Sequence, residues 1–74
     1  MNLLLNILDL LLKMKLNDIK IGQKVNVRTW GGRIETGKIV GKDEDIKNGM
    51  PGIDYETDDG EGYWCYLSQI VKVY

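Results

Sequence analysis

Two hydrophobic periods divide the chain. Residues 2–14, NLLLNILDLLLKM, carry their polar members at Asn2, Asn6, Asp9 and Lys13, spaced four, three and four apart, which is a single stripe along a helix. Every other position from Leu3 to Met14 is Leu, Ile or Met, so the apolar arc is wider than a half-buried surface helix needs. Within it, Leu4, Ile7, Leu8, Leu11 and Met14 form a seam at the three-and-four spacing suited to packing against another helix. The pattern predicts an amphipathic, strongly apolar N-terminal α-helix over residues 1–15 that packs on the fold and joins copies of the chain into a homo-oligomer, with a partner's groove or a membrane surface as the alternative places for its apolar arc. The run falls short of the roughly 20 apolar residues that a membrane span requires and includes Asp9, so no transmembrane segment is expected. A secretory signal is a poor match, because no basic stretch precedes the apolar run and no small-residue cleavage site follows it.

From residue 16 onward the period becomes that of strands, and all nine glycines lie in this part. Lys24–Thr29 alternates, with Val25 and Val27 on one side and Asn26 and Arg28 on the other. The tetrad TWGG at 29–32 makes a loop. Arg33–Lys42 reads as a second strand in which Gly37 and Gly41 permit a bulge or bend. DEDIKNGMP, residues 43–51, reads as a polar loop. Gly52–Asp58 alternates again, with Ile53, Tyr55 and Thr57 opposite Asp54, Glu56 and Asp58. The Asp-Gly of DDGEG turns the chain into a strand over Gly62–Leu67. A 3₁₀ turn at Leu67–Ile70 and a closing strand at Val71–Tyr74 finish the domain, residues 16–74.

The opening IKIGQKVNV and the closing DYETDDGEGYWCYLSQIVKV resemble the SH3-like and Tudor-like small β-barrels, over residues 19–74. The resemblance implies a mainly β fold, a five-stranded SH3-like barrel, closed because strands this short need their edges removed. It places Trp64 in the aromatic position of the fourth strand, Cys65 in the buried aliphatic position and Ile70 in the closing core position. It further implies that loops at one end form a groove or aromatic cage. The apolar helix lies outside that family pattern.

Composition narrows the chemistry. In 74 residues there is room for one core. Charged residues make up 28% and hydrophobic residues 43%, the balance of a folded soluble protein. One cysteine cannot form an intramolecular disulfide, which suits a reducing, cytoplasmic setting. With no histidine, the chain lacks the usual general base, and Cys/His metal sites are excluded too. No cofactor, metal or catalytic residue is expected, and the protein reads as a non-enzyme. The net charge of −1 hides a segregation: residues 1–42 hold eight Lys/Arg against three Asp/Glu, and residues 43–74 hold two against eight.

Every aromatic residue is Tyr or Trp, types favoured where one edge is apolar and the other wet. If Cys65 faces inward, alternation turns Trp64 and Tyr66 outward together, within reach of Trp30. The candidate partner-binding residues are therefore Trp30, Tyr55, Trp64 and Tyr66, with the acidic hairpin of Asp58, Asp59 and Glu61. The plain alternative is that the rings close the barrel ends and the acids form a solvated face. The leading expectation is a small protein-interaction adaptor or inhibitor, by analogy with accessory proteins of phages and mobile elements. A nucleic-acid-binding barrel using Arg28, Trp30 and Arg33 is the second reading, which the acidic second half argues against. The third is small-ligand capture between barrel and helix or between protomers.

Overall fold

A computed structural model describes residues 15–74. The helix expected over residues 1–15, with Leu4, Ile7, Leu8, Leu11 and Met14, falls outside the described residues except for Lys15. That residue is extended, at φ −115° and ψ 158°, and leads into a 3₁₀ turn, Leu16–Asp18, whose Asp18 carboxylate accepts the Lys15 N–H at 2.9 Å. Five strands follow: β1 (Lys24–Arg28), β2 (Ile34–Lys47), β3 (Met50–Glu56), β4 (Gly62–Tyr66) and β5 (Ile70–Val73), with a second 3₁₀ turn, Leu67–Gln69, between the last two. No helix among the described residues is long and apolar enough to cross a membrane.

All pairings are antiparallel, in the order β4-β3-β2-β1-β5. The alternation that predicted β1 and β3 is the observed burial. Val25 and Val27 are fully buried while Lys24 and Arg28 are exposed, and Ile53 and Tyr55 are buried while Asp54 and Glu56 are exposed. Strand residues point alternately to the two faces, so one face gathers a core of Ile19, Val25, Val27, Ile39, Ile53, Tyr55, Cys65, Leu67 and Ile70. Cys65 and Ile70 belong to the two outermost strands and share that core, so the sheet curls around it.

The sheet nevertheless does not close, which corrects the expected barrel. No ladder joins β4 to β1 or β5. The reason lies in Gln69, whose Oε1 accepts the Tyr66 N–H and whose Nε2 donates to the Arg28 carbonyl, each at 2.9 Å. One side chain thus satisfies a backbone donor on β4 and an acceptor on β1 that would otherwise require a partner strand.

A second correction concerns residues 43–51, which form a hairpin and not a loop. β2 runs on to Lys47, and Asn48 and Gly49, at φ 57° and 73°, make the two-residue turn into β3. Positive φ at both central residues is the geometry that matches strand twist, and Asn-Gly tolerates it best. The ladder is interrupted between Asp43 and Lys47, opposite Pro51, which has no N–H to give. Carboxylates take up amides there: Asp43 Oδ1 accepts from Asp45 N and Asp45 Oδ1 from Gly49 N, both at 2.8 Å. The bulge foreseen from Gly41 is present, since Ile39 faces Tyr55 and Gly41 faces Asp54, leaving Val40 as the extra residue. Beyond it, Lys42 Nζ donates to the carbonyls of Leu16 and Ile19, each at 2.9 Å, and ties the first 3₁₀ turn to β2.

Candidate functional site

The open seam between β4 and β1 is where the exposed Trp30 meets the half-buried Trp64 and Tyr66. Cys65 lies on the core face of β4, so Trp64 and Tyr66 emerge on the opposite face, as alternation requires. Trp30 projects from the β1–β2 loop, where Gly32, at φ 85°, and the Thr29 hydroxyl, which accepts the Arg33 N–H, shape the turn. The three rings form a mutual cluster. Trp30 lies 6.2 Å from Trp64 and 5.7 Å from Tyr66, and Trp64 lies 5.3 Å from Tyr66, all edge to face. Such arrangements set the positive edge of one ring against the negative face of another and add about 0.5–1.5 kcal/mol each beyond burial.

The cluster is held from two further sides. Tyr66 Oη accepts from Asn48 Nδ2 at 2.9 Å, and Lys47 Nζ stands 5.5 Å above the Trp64 ring centre. Both residues sit at the tip of the β2–β3 hairpin, so the twist that carries this tip over β4 also braces the rings. Trp30 itself remains 71% exposed. A large aromatic fixed in orientation yet open to water presents apolar area at little further cost in side-chain entropy.

Beside the cluster lies a cleft of about 490 Å³ lined by Trp30, Arg33, Glu35, Tyr63, Trp64 and Gln69 among others. Its floor includes Tyr55, which is 3% exposed and belongs to the core, with its hydroxyl donating to Glu35 Oε1 at 2.7 Å. Burial, then that bond, holds the Tyr55 phenol protonated far above its ordinary range. The Tyr63 ring leans on Tyr55 at 5.8 Å, and its own phenol is raised by desolvation and by Glu35. The cleft therefore combines aromatic walls with one carboxylate and one guanidinium.

Of the residues singled out from sequence, Trp30, Trp64 and Tyr66 come together, while Tyr55 contributes only from beneath. Asp58, Asp59 and Glu61 occupy the β3–β4 turn and do not line the cleft. Asp59 is used internally: its Oδ1 bonds the Thr57 hydroxyl and accepts the Glu61 N–H at 3.2 Å, and these two bonds lower its pKa. Arg28 and Arg33 part company, since Arg33 lines the cleft and Arg28 lies on the outer face of β1. Glu35 and Tyr63 were not anticipated. Glu35 precedes Thr36 within a polar run, and only the pairing of β1 with β2 shows that it falls opposite Val27.

No family model, curated protein or solved structure matches this chain.

Proposed function

We propose that the chain is a non-enzymatic binding module of SH3-like build that captures an extended segment of a protein partner in the cleft beside the Trp30–Trp64–Tyr66 cluster. The single observation that carries this reading is the fixed, largely exposed Trp30 standing edge to face with two further aromatics beside an open cleft. Recognition surfaces concentrate their energy in such rigid aromatic anchors. The strand order, with β5 returning beside β1 after a 3₁₀ turn, supports the SH3-like assignment despite the open seam. Glu35 in the cleft favours a cationic or hydrogen-bond-donating group on the partner, and the ring faces favour proline or a cation.

Titration of the full chain with a proline-rich decapeptide and with a Lys/Arg-rich decapeptide, followed by the two indole N–H resonances in nitrogen-15 spectra, tests the proposal. One peptide should shift both indoles, and Trp30→Ala should weaken that peptide at least tenfold while leaving the dispersed β-sheet resonances in place. Unmoved indoles at millimolar concentrations of both peptides would refute it. Self-association through residues 1–15 is proposed with it, and light scattering that finds the full chain monomeric at 100 μM would remove that part.

A further inference from the structure

The outer face of β5, β1 and β2 forms a second surface, away from the cleft. On β1 the outward residues are Lys24, Asn26 and Arg28. Register sets Lys38, Thr36 and Ile34 of β2 directly opposite them, and Lys72 of β5 opposite Asn26 on the other side. The seven strand positions of this face thus carry four cations and no carboxylate. Lys24 and Lys38 are cross-strand partners, a like-charge pairing that costs stability unless something offsets it.

Tyr74 organises the centre. Lys24 Nζ lies 4.7 Å and Lys72 Nζ 4.5 Å from its ring centre, so one aromatic gathers two ammonium groups from neighbouring strands. The ring is itself fixed: Asn26 Nδ2 donates to Tyr74 Oη at 2.9 Å, and the Thr36 hydroxyl donates to Asn26 Oδ1 at 2.9 Å. The Tyr74 carbonyl oxygen turns toward Gln23 Nε2, at 3.5 Å. Acids border the face and do not interrupt it. Glu56 of β3 is the direct cross-strand partner of Lys38 on the side away from Lys24, and Asp58 shares a hollow with Lys24 and Lys38 at one end. The charge segregation seen along the sequence is in this way converted into a basic sheet face, in a molecule whose total charge is −1.

We propose that this face docks the phosphate backbone of a nucleic acid, with Lys24, Arg28, Lys38 and Lys72 contacting phosphates and no base being read. Phosphates repeat along a strand, as the cations repeat across three adjacent β-strands, and charge complementarity of this kind supplies affinity independent of sequence. The inference stands independently of the peptide-binding cleft, and the two together describe an adaptor with a nucleic acid on one face and a protein on the other.

Fluorescence anisotropy of the full chain with a labelled 20-nucleotide polythymidine probe is the test. Four phosphate contacts predict that affinity falls about 50-fold between 50 and 200 mM salt. Lys24→Gln, Arg28→Gln and Lys72→Gln combined should abolish most binding at 50 mM salt and reduce the salt response of the remainder to about threefold. Trp30→Ala should leave the isotherm unchanged, which separates this face from the cleft. The triple variant loses the Lys24–Lys38 repulsion together with the two cation–π contacts to Tyr74, and the dispersion of its amide spectrum verifies that it folds. Absent binding at 50 mM salt, binding that survives the triple variant, or binding of anionic phosphatidylserine vesicles without the oligonucleotide would each overturn the proposal.

Discussion

Gly52 offers the sharpest test of how β3 and β4 pack. A Cβ at this position would sit 2.2 Å from the Cys65 carbonyl oxygen, 2.5 Å from Ile46 Cγ2 and 2.9 Å from Ile46 Cβ. Restoring ordinary contact with the carbonyl requires the two strands to part by more than an ångström where Gly52 faces Tyr66. That displacement stretches the adjoining ladder bonds beyond useful length, each bond being worth about 0.5–1.5 kcal/mol. Pushing Ile46 aside adds an overpacking cost of about 1–3 kcal/mol. Gly52→Ala should therefore lose about 2–4 kcal/mol, a large share of the roughly 4–11 kcal/mol expected for a domain of this size. Gly62, at the start of β4, is the matched control, because a Cβ there meets nothing within 4 Å and its φ is not positive. Gly62→Ala should stabilise by about 0.4–1 kcal/mol through the unfolded chain. Urea unfolding of both variants, followed by tryptophan fluorescence, reads the difference. If Gly52→Ala falls within 0.5 kcal/mol of Gly62→Ala, the close approach of β4 to β3 is wrong.

Three further outcomes are expected. Lys42→Met removes the ammonium that two carbonyls share and should cost about 1.5–3 kcal/mol in the same assay, whereas Lys20→Met, on an exposed side chain, should change little. Cys65 is buried and desolvation pushes its thiol up to about 12, so Ellman's reagent at pH 8 should react only as fast as the domain unfolds, and at once in 6 M urea. The same shift makes stability pH-dependent on the alkaline side: the folded thiol keeps its proton while the unfolded one, near 9, loses it. Stability is thus complete below about pH 9 and declines by about 1 kcal/mol per pH unit toward pH 12, with Tyr55 acting in the same direction. Cys65→Val should flatten this decline, as pH-resolved urea midpoints would report.

Much of the sheet is readable in the chain because one-sided burial imposes a strict period of two. Val25 and Val27, Ile53 and Tyr55, and Cys65 between Trp64 and Tyr66 each announce both a strand and its inner face. The segment after Lys42 escaped that logic, since Asp43, Glu44 and Asp45 are all exposed and no buried partner marks the strand. Asn48-Gly49 was the stronger signal there, a local backbone preference that outweighs polarity. Closure was overestimated for a different reason: a barrel and a curled open sheet share the same strand pattern, and a long-range contact of Gln69 decides between them. Trp30, Trp64 and Tyr66 were legible as a group through alternation and loop position. Arg28 on the outer face of β1 and Arg33 at the cleft occupy different surfaces although only a four-residue loop separates them, because chain proximity says nothing about which face each takes once β1 has ended.

An unclosed sheet leaves two flanks, β4 and β5, open to the backbone of another chain, and β5 is the one whose pairing is broken by a bulge. The register slips between Asn26 and Val27, so that Val71 is an additional residue and stands 47% exposed, next to Lys72. A kink and an exposed charge on the same short strand spoil its straightness as a template for fibril growth. Removing Val71 would straighten that flank, and the shortened protein would be expected to aggregate at concentrations the parent tolerates.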